Sequence, residues 1–203
     1  MYVVFVTGGL ASGKKSVCEM LGAKGAAVID LDVLAKETQE APEVQSELAE
    51  AFGSDIIDCD GALDRRLLAS RAFATPQDAA RLNAICWPPV RARLADLLVG
   101  GSCQGIDAGR LVAVEVPLLA ESEGFRDLAD EVITVSADEQ LRLDRAVARG
   151  MEPDDAKNRM ALQASDEERE LISDTVLTNN GSRAALRAQV DAWYADHTTE
   201  RLW

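Results

Sequence analysis

Apolar residues gather in five short runs, centred on residues 2–6, 26–29, 111–114, 131–135 and 175–178, and each run gives way to polar residues. Runs of this length, rich in Val and Ile, predict strands buried on both faces. Between them the period changes. Val17, Met20 and Leu21 recur at helical spacing after Lys14, and Gly22 and Gly25 end that helix. Residues 33–52 read as helices broken at Pro42, with Leu48, Ala49, Ala51 and Phe52 as the buried set of the second. From 63 to 98 the pattern is helical with an interruption at Pro88-Pro89, after which Val90, Leu94 and Leu97 line a fresh apolar face. Gly100, Gly101, Gly105 and Gly109 predict a loop. Two helices rich in both charges, 141–149 and 154–164, precede the last strand, and Ser182 caps a terminal helix whose docking stripe is Leu186, Val190 and Trp193. Strands alternating with helices in this order predict an α/β fold, an open five-stranded parallel sheet flanked by helices.

The first strand runs directly into Thr7-Gly8-Gly9-Leu10-Ala11-Ser12-Gly13-Lys14-Lys15-Ser16. A strand, a Gly-rich bend and a helix start are the context in which G-x-x-x-x-G-K cradles phosphate, and Gly8, Gly13 and Lys14 take those places. Glycines let successive N–H groups turn inward, and the helix adds the positive end of its dipole. Lys14 then reaches the β- and γ-phosphates of a nucleotide. The pattern wants Ser or Thr after the Lys as a Mg²⁺ ligand, but this position is Lys15, and the first hydroxyl follows at Ser16. An ammonium cannot ligate a metal. Either Ser16 serves from a shifted register, or Lys15 supplies positive charge in place of part of the metal's role.

Composition narrows the partners. The 203 residues suit one α/β domain with insertions, and 47% hydrophobic with 28% charged residues is an ordinary globular balance. A net charge of -14 argues against nucleic acid or an anionic membrane surface as the main partner. Between Asp64 and Asp96 the sign reverses, with six arginines, Arg65, Arg66, Arg71, Arg81, Arg91 and Arg93, against three aspartates. Such an island suits a small phosphorylated ligand or simply solvates helix faces. Cys18, Cys59, Cys86 and Cys103 form no C-x-x-C pair, which leaves reduced structural thiols. No run approaches the length of a membrane span, and the N-terminal apolar run lacks a basic flank, so a cytoplasmic place is expected. His197, the single histidine, lies among polar residues and is unsuited to imidazole catalysis.

Acids follow two strands. Asp30 and Asp32 alternate after the second, and in an open parallel sheet the carboxyl ends of strands line the ligand crevice. A carboxylate there accepts a hydroxyl proton or organises a metal-bound water, while a helix N-cap for the element near Val33 is the structural alternative. Glu115 ends the third strand, as in the second nucleotide motif of P-loop proteins, whose acid holds Mg²⁺ directly or through water. Arg142, Arg145 and Arg149 share one helical face. Arginines there neutralise transition-state charge, although for Arg142 a solvated face paired with Asp138, Asp144 and Glu152 is the expectation.

Together these motifs describe a small P-loop kinase, and their order resembles one family, dephospho-coenzyme A kinase. The resemblance runs nearly end to end: Thr7-Gly8-Gly9, Ile29-Asp30-Leu31-Asp32, Gly61-Ala62-Leu63-Asp64-Arg65, Leu82-Asn83-Ala84-Ile85, Val116-Pro117-Leu118-Leu119 with Glu121, Arg145 and Arg149 ahead of Arg159-Met160 and Gln163, and Asn179-Asn180-Gly181. It implies ATP-dependent phosphorylation of the ribose 3′-hydroxyl of dephospho-coenzyme A. It also implies one P-loop domain with its core at about 1–60, 107–137 and 171–203, a helical substrate-binding insertion at about 61–106 and a lid at about 138–170. Carried over by position, Lys14 holds the transferring phosphate, Asp32 is the base toward the 3′-hydroxyl, and Arg145 closes on ATP. The nucleotide set is Gly8, Gly9, Ala11, Ser12, Gly13, Lys14, Lys15, Ser16, Arg149 and Asn180. The substrate set is Asp32, Arg65 and Arg81, and Mg²⁺ falls to Ser16 and Glu115. A monomer is favoured. Three positions depart from the family: Lys15 where it has Ser, Trp87 where it has His, and Glu115 where it has Asp. The alternatives are an ATP-binding P-loop protein without transfer, acting as sensor or partner, and a related nucleoside or nucleotide kinase.

Overall fold

A computed structural model describes residues 1–100, 111–117, 119–120 and 124–200. Gly101, Cys103, Gly105, Gly109, Leu118 and Glu121, singled out above, lie outside the described residues. Five strands, β1 (Tyr2–Thr7), β2 (Ala27–Asp30), β3 (Leu111–Glu115), β4 (Glu131–Ser136) and β5 (Thr175–Thr178), form one sheet in the order β2-β3-β1-β4-β5, with every pairing parallel. The middle strand carries the longest apolar run because it is covered on both faces: Val3, Val4, Phe5 and Val6 are all buried. The chain leaves β1 toward β2 on one side and leaves β4 toward β5 on the other. That reversal sets a crevice at the carboxyl ends of β1 and β4, the place where open sheets take ligands.

The chain forms two units. The first comprises residues 1–31 and the described part of 101–203. Its helices are α1 (Lys14–Gly22), then, further along the chain, α6 (Glu139–Ala148), α7 (Pro153–Ala161), α8 (Asp166–Leu171) and α9 (Arg183–Glu200). Val17, Met20 and Leu21 of α1 and Leu186, Val190 and Trp193 of α9 pack with Val4, Val6, Ile133, Val135 and Leu177 of the sheet. Each such side chain contributes roughly 1.5–3 kcal/mol by leaving water. The helix expected over 154–164 instead ends at Ala161, and a separate α8 begins at Asp166. Ser165 and Glu168 close a reciprocal capping box at its start, which decides the new beginning.

The second unit, residues 32–100, holds α2 (Leu31–Thr38) beyond its first residue, α3 (Pro42–Phe52), α4 (Arg65–Ala72) and α5 (Pro76–Gly100). Val44, Leu48, Phe52, Ile56, Leu68, Ala72 and Cys86 form its core. Asp64 caps α4 by accepting from Arg66 N–H and Leu67 N–H. One expectation is overturned here: α5 runs unbroken through Pro88 and Pro89, and the break falls earlier, ahead of Pro76. Burial of Cys86 before the prolines and of Val90, Leu94 and Leu98 after them holds the helix across two missing N–H groups. Asp58-Cys59-Asp60-Gly61 forms a turn, closed by Gly61 N–H on the Asp58 carbonyl.

Candidate functional site

The loop between β1 and α1 is shaped by backbone that few side chains permit. Gly13 has φ 114°, and a Cβ there would collide with the Asn179 amide. Ala11 also takes a positive φ of 56°, uncommon outside glycine. Ser12 N–H closes the turn on the Gly9 carbonyl at 3.2 Å. Its hydroxyl points inward, buried with no hydrogen-bond partner in the structure, so Ser12 offers the site its backbone. Gly13 caps α1 without a side-chain bond, and no acid stands in the first turn, where Lys14 and Lys15 lie instead. For helix stability that placement is backward, since cations are disfavoured at the positive end of the dipole. For binding an anion it is favourable.

Lys14 lies back over its own loop, Nζ donating to the Gly8 carbonyl at 2.8 Å and the Gly9 carbonyl at 3.0 Å. Lys15 is exposed, while Ser16 lines a cavity of about 160 Å³ with Ala11, Gly13, Arg145, Arg149 and Asn179. Ser16 therefore faces the same hollow as the arginines. On the other flank, the β2–β3 register sets Asp30 beside Glu115 at the carboxyl ends of their strands. Burial pushes the Cys18 thiol far up, and the negative charges of Glu115 and Asp30 push it further, partly offset by Lys14. These groups thus share one electrostatic neighbourhood. No cluster of three or more His, Cys, Asp or Glu side chains able to hold a metal occurs among the described residues. An oxygen-seeking cation that keeps several waters, such as Mg²⁺, needs only one or two carboxylates plus phosphate, and Asp30 with Glu115 fit that donor set.

The arginine helix differs from expectation. Arg142 is not solvated; it is buried, donates through Nε to the Ala137 carbonyl at 2.9 Å, and pairs with Asp166 at 3.0 Å rather than with Asp138, Asp144 or Glu152. Burial removes it from water, so it takes the carboxylate that α8 brings. Arg145 donates to the Asn179 carbonyl at 2.9 Å, and its Nη1 is buried without a hydrogen-bond partner. Such an orphaned guanidinium nitrogen at the cavity wall suits an incoming acceptor. Asn180 exchanges hydrogen bonds with Asp138, at 2.8 Å to its N–H and 2.7 Å to its carboxylate, so its side chain is engaged within the protein. The neighbouring Asn179 does the contacting instead, its Nδ2 donating to the Ser12 carbonyl at 2.7 Å. Neither Asn179 nor Gln163, which accepts from Leu10 N–H at 2.8 Å, was singled out for a role by the sequence. Their signal was available only as the Asn-Asn-Gly loop and the Gln after Arg159-Met160.

In the second unit the structure places Asp32, exposed, in the first turn of α2 rather than at an N-cap, because the helix already starts at Leu31. Arg65 donates to the Lys36 carbonyl at 2.9 Å and pairs with Glu40 at 3.2 Å. Arg81 donates to the Ala51 carbonyl at 3.2 Å. Arg71 makes a bidentate pair with Asp55, at 2.7 and 2.6 Å, and that guanidinium holds the Asp55 carboxyl below the usual range. Several of the arginines in the positive island are thus tied within their own unit.

Comparison with known proteins places these features in company. A family model described as dephospho-CoA kinase matches residues 2–185. A dephospho-CoA kinase of Corynebacterium jeikeium is 40% identical over 197 residues, covering 96% of this chain and 98% of the relative. A Thermus thermophilus protein of known crystal structure superposes with a TM-score of 0.80 at 31% identity, over 96% of this chain and 97% of that one. A shikimate kinase from Acinetobacter baumannii shares the fold alone, with a TM-score of 0.55 at 13% identity over 100% and 96% of the two chains.

Proposed function

Because the chain belongs to the dephospho-CoA kinase family, we propose that it transfers the γ-phosphoryl group of ATP to the ribose 3′-hydroxyl of dephospho-coenzyme A, the last step of coenzyme A synthesis. The observation that carries this reading is the loop over α1, with Lys14 held at the mouth of an uncapped helix start at the sheet's reversal point. Phosphoryl transfer needs little covalent help from protein, so placement and charge neutralisation do most of the work. Amides of Ala11 to Ser16 hold the phosphates, Lys14 keeps the Gly9 carbonyl and turns its other donors onto the transferring group, and Arg145 with Arg149 meets the nucleotide from α6. Arg149 caps that helix at the cavity. Gly8 and Gly9 supply the bend.

Asp32, two residues beyond the strand-end acid, takes the proton of the attacking hydroxyl. Ser16 and Glu115, with Asp30 beside Glu115 on the neighbouring strand, would hold Mg²⁺ and its water shell, and the ion when bound with ATP neutralises charge between its phosphates. The unit of residues 32–100 recognises dephospho-coenzyme A, with Arg65 and Arg81 on its phosphates, and residues 138–170 act as a lid. No helix among the described residues is long and apolar enough to cross a membrane, which fits a cytoplasmic enzyme of small substrates. The acidic balance of the chain agrees, disfavouring nucleic acid as a partner.

A coupled ADP assay with and without dephospho-coenzyme A and with and without Mg²⁺ tests this. ADP release should require both. Asp32→Asn should lower kcat by about 100-fold or more while ATP binding by calorimetry is kept. Turnover driven by a nucleoside monophosphate instead would assign another kinase of this fold. Tight ATP binding with no product over long incubation would favour a sensor, the reading that Lys15 motivates.

A further inference from the structure

The half-buried side chain of Gln163, in the turn between α7 and α8, accepts from Leu10 N–H at 2.8 Å. That N–H belongs to the peptide unit joining Gly9 to Leu10. The other end of the same unit, the Gly9 carbonyl, accepts from Lys14 Nζ at 3.0 Å and from Ser12 N–H at 3.2 Å. A peptide is planar, so fixing its N–H direction fixes its C=O. Gln163 therefore aims the oxygen on which Lys14 rests.

The same segment braces the unit from above. Arg142 and Arg169, both buried, share the Asp166 carboxylate at 3.0 and 2.6 Å. Arg169 also donates to the Ala164 carbonyl, beside Gln163. A Cβ on Gly9 would collide with the Arg142 guanidinium, so the two arginines leave the Gly9–Leu10 peptide little room to shift. Two guanidinium groups against one carboxylate leave one net positive charge, and the arginines that carry it lie against the loop shielded from water, where its field is strong. Among the described residues the other hydrogen bonds of that peptide come from Lys14 and Ser12, and Gln163 is its link to the α6–α8 segment.

We propose that Gln163 is a positioning residue for phosphoryl transfer, which through the Gly9–Leu10 peptide sets the place of Lys14 and couples the α7–α8 turn to the phosphate loop. The proposal rests on the reading of Lys14 as the group that holds the transferring phosphate. Gln163→Met keeps length and removes the acceptor, whereas Gln163→Glu keeps an acceptor. Gln163→Met should lower kcat/KM for ATP by about 5- to 20-fold, leave KM for dephospho-coenzyme A and Tm unchanged, and Gln163→Glu should recover most of the loss. Calorimetry with ADP supplies a test that needs no turnover. Gln163→Met should weaken ADP by about fivefold in the native background and by less than twofold in Lys14→Met, because the two side chains act through one peptide. Equal losses in both backgrounds, or a fall in Tm with both KM values rising together, would overturn the proposal. Should dephospho-coenzyme A prove not to be the substrate, the ADP cycle still reads the loop, so the two claims fail separately.

Discussion

Lys15 occupies the first turn of α1, exposed, where the phosphate-loop pattern places a metal-binding hydroxyl. Its ammonium adds positive charge to the loop but cannot ligate a metal, so on the proposed function Ser16 and the strand-end acids Asp30 and Glu115, paired in register, would have to carry more of the Mg²⁺ site. Lys15→Ser should therefore lower the Mg²⁺ concentration for half-maximal activity by about threefold with kcat little changed, read by titrating Mg²⁺ at fixed ATP. An unchanged midpoint would show that Ser16 or Lys15 itself already meets the need. Cys18 offers a second check behind the same loop. Burial and two nearby carboxylates push its thiol up, so it stays protonated and inert, while Cys59 is exposed. Of these two, a thiol reagent at pH 8 should modify Cys59 within minutes and Cys18 only after unfolding, as peptide mapping would show. At this scale the sequence spoke clearly where a role is local. Lys14, Gly13 and Gly8 stand within one turn of chain, so their spacing alone names the chemistry. Asn179 and Gln163 reach the loop from 167 and 153 residues away, and no spacing rule connects such partners. Arg142 misled for a related reason: its helical face was legible, but the α8 carboxylate that buries it was not.

At the scale of elements, all five apolar runs became strands, because Val- and Ile-rich runs of that length have few other ways to bury both faces. Boundaries were harder where two local signals competed. Pro88-Pro89 reads as a stop, yet α5 continues through it, since Cys86, Val90, Leu94 and Leu98 keep one burial pattern on both sides. The prolines still cost the helix two hydrogen bonds. Pro89→Ala should stabilise the protein by about 1–3 kcal/mol, measured by urea unfolding, because the packing already fixes the helical path. Loss of stability in that variant would mean that the prolines, not the burial pattern, set the course of α5. The separate α8 was missed for the opposite cause. Its capping box, Ser165 with Glu168, was present in the sequence but lay just past the helix expected over 154–164, in a polar stretch with no apolar period to mark a new helix. The exposed acid in the first turn of α2 shows the same ambiguity, a helix-end signal and a catalytic candidate carried by one Asp32.

Across the whole first unit, Glu131 joins the sheet to the terminal helix at the end opposite the phosphate loop. Its carboxylate accepts from Tyr2 of β1 at 2.8 Å, Thr175 of β5 at 2.7 Å and Trp193 of α9 at 2.7 Å, and His197 Nε2 lies 2.7 Å away. His197 also stacks on Trp193, with ring centroids 4.4 Å apart, which gives the single histidine a structural place. Burial alone would raise the Glu131 carboxyl, but the hydrogen bonds from Trp193, Thr175 and Tyr2 and the charge of His197 outweigh it and hold the group below its ordinary value. A carboxyl depressed in the folded state gives stability that is complete above its unfolded pKa, about 4.5, and lost as pH falls through the lower folded value. The net charge of -14 acts in the other direction, since mild acid relieves self-repulsion. Wild type alone therefore mixes two trends, and a variant separates them. Glu131→Gln preserves shape and nearly the whole net charge but leaves four partners facing an amide. Its unfolding free energy in urea should be lower by roughly 2–3 kcal/mol at pH 7, and the gap should narrow as pH drops from 5 to 3, where the unfolded chain's carboxyl takes up a proton that the folded one resists. A gap that stayed constant over that range would show that packing of the side chain, rather than its charge, is what fastens α9 to the sheet.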